Sequence, residues 1–204
     1  MKIEIDVNDL AAMKLFMAKQ DVRYYLNGLL LEIGSLESRL VATNGCMMAV
    51  MRLYCRRPGP TQRVIIPSEA LAGVKPAKLA EVATITIDGT ADVADLNVET
   101  EKWEWSGKSI DGHYPDYVRV LPRTVSGELA QFDGKFLYAF QQAAEILSRG
   151  KYPVVGHNGT GAALVSIGGR DDFLGAIMPL RTDWPPTEAP TWAGQSIEAA
   201  QVAA

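Results

Sequence analysis

Residues 2–6 alternate apolar and polar side chains, which predicts a strand; the spacing then turns helical at Leu10, Met13, Phe16 and Met17. Asn8 or Asp9 stands where the cap of that helix is expected. Between residues 19 and 53 the chain reads as three strands in succession, over 23–32, 39–43 and 47–53. Asn44-Gly45 between the last two is the strongest hairpin signal in the chain, because both residue types tolerate the positive φ of a tight turn. Arg56, Arg57, Pro58, Gly59 and Pro60 then break the pattern.

The same plan of strand, helix and three strands recurs twice more, over about residues 61–122 and 123–181. In the second unit, Val64-Ile65-Ile66 is a short strand and Pro67-Ser68-Glu69 a helix start with Ser68 as its cap. Gly73 and Pro76 make that helix short or kinked, since an interior proline loses a hydrogen bond and clashes with the preceding turn. Strands are expected over 82–87, 91–98 and 102–106, followed by a proline-containing extended linker over 109–122. In the third unit a strand is expected over 129–132, and Asp133 caps a helix with a stripe at Phe136, Leu137, Phe140, Ala143, Ala144 and Leu147. Strands over 154–155, 162–167 and 173–180 follow, with Asn158-Gly159 as a turn. Residues 182–204, rich in Pro, Thr and Ala, read as a flexible tail.

Several stretches carry a family resemblance. The run from Gln20 to Gly28, QDVRYYLNG, and the hairpin Val41-Ala42-Thr43-Asn44-Gly45 followed by Ala49-Val50 resemble the middle domain of the bacterial DNA sliding clamp, the β subunit of DNA polymerase III. Tyr114-Pro115-Asp116-Tyr117 and Arg119-Val120-Leu121-Pro122 resemble the connector leaving that domain, and residues 176–181 resemble the family's C-terminal strand. The resemblance implies an α+β sliding-clamp (DNA clamp) fold built from repeated βαβββ units. Residues 1–122 would form one clamp domain and 123–181 a half-domain resembling part of the last one. It further implies a processivity factor that encircles duplex DNA without sequence preference and tethers a DNA polymerase or another protein carrying a clamp-binding motif, with a clamp loader among its partners. The family uses six units per subunit in a two-subunit ring. Three units per chain therefore suggest a homo-oligomer of four, the third unit completing a domain with another copy.

From the same resemblance, a peptide pocket would be walled by Arg23, Leu26, Thr43, Gly45, Met48, Pro115, Arg119 and Val120, with Ala176, Met178, Pro179, Leu180 and Arg181 added by the last strand. Cys46-Met47 stands where a more polar pair is expected. Three or four apolar anchors at about 1.5–3 kcal/mol each must offset the ordering of a flexible peptide, which leaves micromolar affinity, roughly −8 kcal/mol at best. A DNA-facing set would comprise Lys14, Lys19, Gln20, Lys75, Lys78, Lys135 and Arg149, on or beside the helices, meeting phosphates without reading bases.

Composition narrows the alternatives. A chain of 204 residues with 48% hydrophobic and 22% charged residues is an ordinary globular sequence, with no run as long as the roughly 18 apolar residues of a membrane span and no signal-peptide core, so a cytoplasmic protein is expected. A net charge of −4 argues against a protein that coats DNA over its whole surface, but not against a ring basic only inside. Cys46 and Cys55 are expected to be reduced thiols, and His113 and His157 form no ligand cluster, so no metal or cofactor is expected. Gly156 to Gly161 has P-loop spacing, but Ala162-Ala163 stand where Lys and Ser/Thr are required, and no enzyme site is expected. The competing reading is a non-catalytic clamp-like decoy that keeps the pocket without encircling DNA; a conventional DNA-binding module is the third.

Overall fold

Strand β1 (Lys2–Asp6) passes directly into helix α1 (Val7–Met13), because the Asp6 carboxylate accepts the backbone N–H of Asn8 at 2.7 Å. The expected caps are used elsewhere. Asn8 clasps the backbone of Ala77 through both its amide nitrogen and its carbonyl oxygen, and Asp9 pairs with Arg170 at 2.8 Å. The computed structural model describes residues 1–55, 59–89, 93–149, 151–181 and 188–194. The break expected at Arg56-Arg57-Pro58, the strand start expected at Ala91 and most of the tail lie outside the described residues.

After α1, Lys14–Phe16 tighten into a 3-10 turn. The strand expected from Arg23 begins later. Asp21 and Asn27 bond each other across Tyr24–Asn27, which forms a second 3-10 turn, and strand β2 covers Gly28–Ile33. Strands β3 (Ser38–Thr43) and β4 (Met47–Leu53) form the predicted hairpin. Its central pair is Gly45-Cys46 rather than Asn44-Gly45. Gly45 alone takes positive φ (90°), while the Asn44 side chain accepts the N–H groups of Cys46 and Met47.

The second unit comprises β5 (Gln62–Pro67), a 3-10 turn at Ser68–Leu71, β6 (Val82–Asp88), β7 (Asp95–Glu99) and β8 (Glu104–Lys108). Ser68 does not cap; Pro67 precedes the turn and no side chain bonds its amides. Unit one's β1 pairs with β6, and unit two's β5 pairs with β2, so the two units exchange first strands about a pseudo-twofold.

In the third unit, Asp133 caps helix α2 (Gly134–Ser148) as expected, accepting from the Lys135 N–H at 2.9 Å. Residues 129–132 do not form the expected strand; they lie against their own unit, with Ala130 N–H donating to His157 Nδ1 at 3.1 Å and Leu180 N–H to the Gln131 carbonyl at 2.7 Å. Strands β9 (Pro153–Gly156), β10 (Ala163–Ile167) and β11 (Phe173–Ile177) complete the unit, β11 ending before the expected Leu180. The glycines with P-loop spacing make a turn, Gly161 N–H donating to the Asn158 carbonyl at 2.9 Å.

Two sheets result: a four-stranded one in the order β1-β6-β7-β8 and a seven-stranded one in the order β5-β2-β3-β4-β11-β10-β9. The third unit is therefore joined to the first by a continuous ladder, Phe173 opposite Met51 through Ile177 opposite Met47. Beneath that ladder Phe16 and Phe140 meet at 4.7 Å between ring centroids, and Phe173 lies 6.0 Å from Phe16. Gly175 leaves room for this stack, since a Cβ there would fall 2.2 Å from the Phe140 ring. The expected apolar face of α2 is real: Phe140, Ala143 and Ala144 are fully buried. No helix among the described residues is long and apolar enough to cross a membrane.

Phe140→Ala should empty the centre of the joint and cost about 3–5 kcal/mol of stability, read as a lowered denaturant midpoint. An unchanged midpoint would mean the third unit is not welded on by this stack.

Candidate peptide-binding pocket and charged surface

Every residue of β2 is buried because the seven-stranded sheet is covered on both faces. Leu29, Leu31 and Ile33 face the main core, while Leu30, Val41, Met48, Ile65, Tyr117 and Ala176 form a second apolar cluster on the other side. The linker after β8 supplies that cover. Ile110 N–H donates to the Ile65 carbonyl at 2.9 Å, and the Tyr114 hydroxyl accepts the Thr43 N–H at 3.1 Å. Tyr117, in a 3-10 turn at Tyr117–Arg119, donates its hydroxyl to Glu32 and accepts from Arg39 at 3.1 Å; Glu32 is held in turn by Arg63 at 2.8 Å.

At the end of this second cluster the linker, the β3–β4 hairpin and β11 leave an apolar cavity of about 170 Å³, open on one side. Met48 and Ala176, opposite each other in the β4–β11 ladder, lie in its wall with Leu26 and Met178. Met178 is tied down by its N–H to the Cys46 carbonyl at 2.8 Å, yet its side chain stays part-exposed. Thr43 and Gly45 come from the hairpin, Pro115 and Val120 from the linker, and Arg23 from the turn before β2. Arg23 brings the lining its one charged side chain, which forks onto Asp21 at 2.8 Å and lies against Gly45. The hydrogen bonds from Arg23 hold the Asp21 carboxyl down at about 2.

The remaining expected wall residues fall outside the cavity lining. Arg119 turns to Asp116 at 2.9 Å, and Pro179, Leu180 and Arg181 lie beyond the end of β11. The cavity is lined in addition by Cys46, Met47, Tyr117, Ala162 and Ile177. Cys46 and Met47 were legible as neighbours of Gly45; Ala162 had no local signal, because only the β10–β11 pairing brings it there.

The seven expected DNA-facing residues divide. Lys14 points inward, its ammonium bonded to the carbonyls of Leu71 and Val74, where it closes the short turn of the second unit. Burial, then the charge of Lys75, lowers its pKa. Arg149 reaches the Lys78 carbonyl, so Lys14, Lys75, Lys78 and Arg149 gather around residues 71–78, with Lys75 and Lys78 exposed. Lys135 pairs with Asp133 at 2.8 Å at the opposite end of α2 from Arg149. Lys19 and Gln20 are exposed in the loop before β2.

A pair of units with exchanged first strands, extended through a shared sheet by a third unit and carrying an apolar pocket beside that junction, is a DNA-clamp fold of the α+β class. Residues 7–116 match the family model described as DNA polymerase III beta subunit, central domain. The chain is 35% identical over 136 residues to the beta sliding clamp of Vibrio cholerae, covering 67% of this chain and 36% of that protein. With the Pseudomonas aeruginosa beta sliding clamp it shares 36% identity over 141 residues, again 67% and 36% of the two chains. A crystal structure of the Pseudomonas aeruginosa DNA polymerase sliding clamp superposes with a TM-score of 0.60 at 22% identity, over 89% of this chain and 67% of that one. A putative DNA polymerase III beta subunit from Eubacterium rectale gives 0.62 at 12%, over 89% and 66%. The chain belongs to the bacterial β sliding clamp family, the β subunit of DNA polymerase III, and spans 36% of the length of these curated relatives.

Burial, then the bond to Glu32, pushes the Tyr117 phenol up from 10.0 to about 12. The folded chain thus keeps a proton that the unfolded chain loses, and the stability this contributes is intact below about pH 10 and lost as pH rises through about 12. The urea midpoint should fall across that window, and less steeply in Tyr117→Phe; identical slopes would mean that Tyr117 does not anchor the linker.

Proposed function

We propose that this chain is a subunit of a DNA sliding clamp, a processivity factor that encircles duplex DNA and tethers a DNA polymerase or another replication factor through the pocket beside the β4–β11 ladder. The observation that carries the reading is the pocket itself: an apolar cavity walled by two units and the linker, with adaptable methionines at 48 and 178 and one arginine among its lining. Such a surface suits a short linear motif with apolar anchors, bound at micromolar strength and readily exchanged. Its occupants would be proteins carrying a clamp-binding motif, with a clamp loader among them.

Retention on DNA would be topological. A closed ring needs no tight grip, so scattered contacts from Lys75, Lys78, Lys19 and Gln20 to phosphates, without base readout, would leave it free to slide. The net charge of −4 fits a ring whose outer surface is acidic. No cofactor and no catalytic step enter this mechanism. Among the described residues, β9 is an outer edge of the third unit and residues 129–132 pair with no other unit, whereas units one and two satisfy the equivalent positions by exchange. A second copy's third unit would complete the domain, and a ring of twelve units built from three per chain takes four copies.

Two outcomes test the reading. The protein should be retained on circular duplex DNA and lost when the circle is cut, since a ring slides off free ends. Salt-sensitive binding indifferent to topology would instead mark a conventional DNA-binding module. Met178→Lys should weaken a labelled peptide bearing a bacterial clamp-binding motif about tenfold or more, because a charge would then sit in the apolar wall; unchanged binding would remove the pocket assignment. The inward commitment of Lys14 favours one second reading, a clamp-like decoy. It predicts peptide binding without retention on circles.

A further inference from the structure

Units one and two are built alike, yet their last strands differ in one respect. The free edge of β4 is covered by β11, whereas β8, its counterpart, is the outer edge of the four-stranded sheet. Among the described residues, β8 pairs only with β7. Its sequence, Glu104-Trp105-Ser106-Gly107-Lys108, is complementary to itself when reversed. Antiparallel pairing centred on Ser106 would set Glu104 opposite Lys108 of a second copy, Trp105 opposite Gly107, and Ser106 opposite its own equivalent. Gly107 is already covered by the chain's own Trp105 ring, which would stand 2.4 Å from a Cβ there, so the two indoles stay on their own strands and the charged ends carry the match. Among the described residues of its own chain Glu104 meets no cation: it stands opposite Glu99 across the β7–β8 ladder, an arrangement that destabilises a pair of strands, and accepts only the Asn97 amide at 3.3 Å. Lys108 lies 3.9 Å from Asp95, at the long limit of an ion pair between exposed groups. A second copy would place an ammonium beside the Glu99–Glu104 pair at each end of the contact.

We propose that β8 is an isologous interface, at which a second copy of this chain adds its own β8 antiparallel about a twofold axis through Ser106. The inference rests on the proposed ring and specifies its symmetry. A twofold contact at β8 alternating with a twofold contact between third units closes after four copies with dihedral symmetry, so the ring has two equivalent faces. A head-to-tail contact would make the faces different.

The test is native mass spectrometry of the full chain as wild type, Glu104→Lys, Lys108→Glu, the double variant, and an equimolar mixture of the two single variants. All substitutions lie on an exposed strand, and thermal melting checks folding. Each single variant sets like charges opposite each other twice in its own contact and should weaken self-association about tenfold or more. The double variant should associate as the wild type does. The mixture should recover as a complex of one variant with the other, since only a twofold contact brings Lys at 104 against Lys108→Glu of the partner copy and the reverse. A wild-type chain that stays monomeric, single variants that associate normally, or a mixture that fails to recover would each overturn the proposal. Retention on circular DNA separates the two claims. Rings that survive every charge reversal leave the clamp reading standing without the β8 contact. Charge-dependent pairing without retention on circles leaves the contact standing without the ring.

Discussion

One ladder governs this molecule: the antiparallel pairing of β4 with β11. Its inner face places Met51 and Phe173 over the Phe16–Phe140 stack, and its outer face places Met48 beside Ala176 in the pocket wall. Strand alternation means that a single register decides both. A slip of one residue would turn the apolar set of β11 away from the core and remove the pocket wall together. Core and site are therefore not independent features of the chain, and the ion pairs of Arg170 with Asp9 and Asp172 hold the same junction from the side of α1.

The repeat explains the rest of the architecture. A βαβββ unit cannot satisfy all its strand edges alone, and units one and two solve this by trading first strands. The trade fixes their orientation and leaves the last strand of each free to extend a sheet sideways. In unit one that edge is taken by unit three. Sheets that grow only at such edges propagate in one direction, which is the geometric basis for reading the chain as a segment of a ring.

Much of this was legible along the chain. The apolar pattern locates the strands of the first two units, although β2, β7 and β8 begin later than it predicts; the stripe from Phe136 to Leu147 locates α2, and Asp133 caps it. Several expectations failed because the partners lie far away in sequence. Asn8 and Asp9 have the chemistry of helix caps, but residues 69 and 161 positions away claim their side chains, and Asp6 caps instead. Lys14 reads as a surface charge until the carbonyls of Leu71, at the end of the second unit's turn, and of Val74 just after it are presented to its ammonium. Residues 129–132 have strand-forming composition, but a strand needs an edge to join, and here they rest on His157. For the pocket, the hairpin and linker walls followed from the family resemblance. Tyr117 and Ala162 did not, because the first enters through a fold of the linker and the second through the β10–β11 register.

The most direct measurement of the central claim is native-state amide hydrogen exchange across the β4–β11 ladder. Amides bonded in that ladder, over Met47–Leu53 and Phe173–Ile177, should exchange together, with protection approaching that of global unfolding. Rapid exchange throughout β11 and α2 while β4 stays protected would show that the third unit is not joined to the first. The shared sheet, the pocket and everything argued from them would then fall.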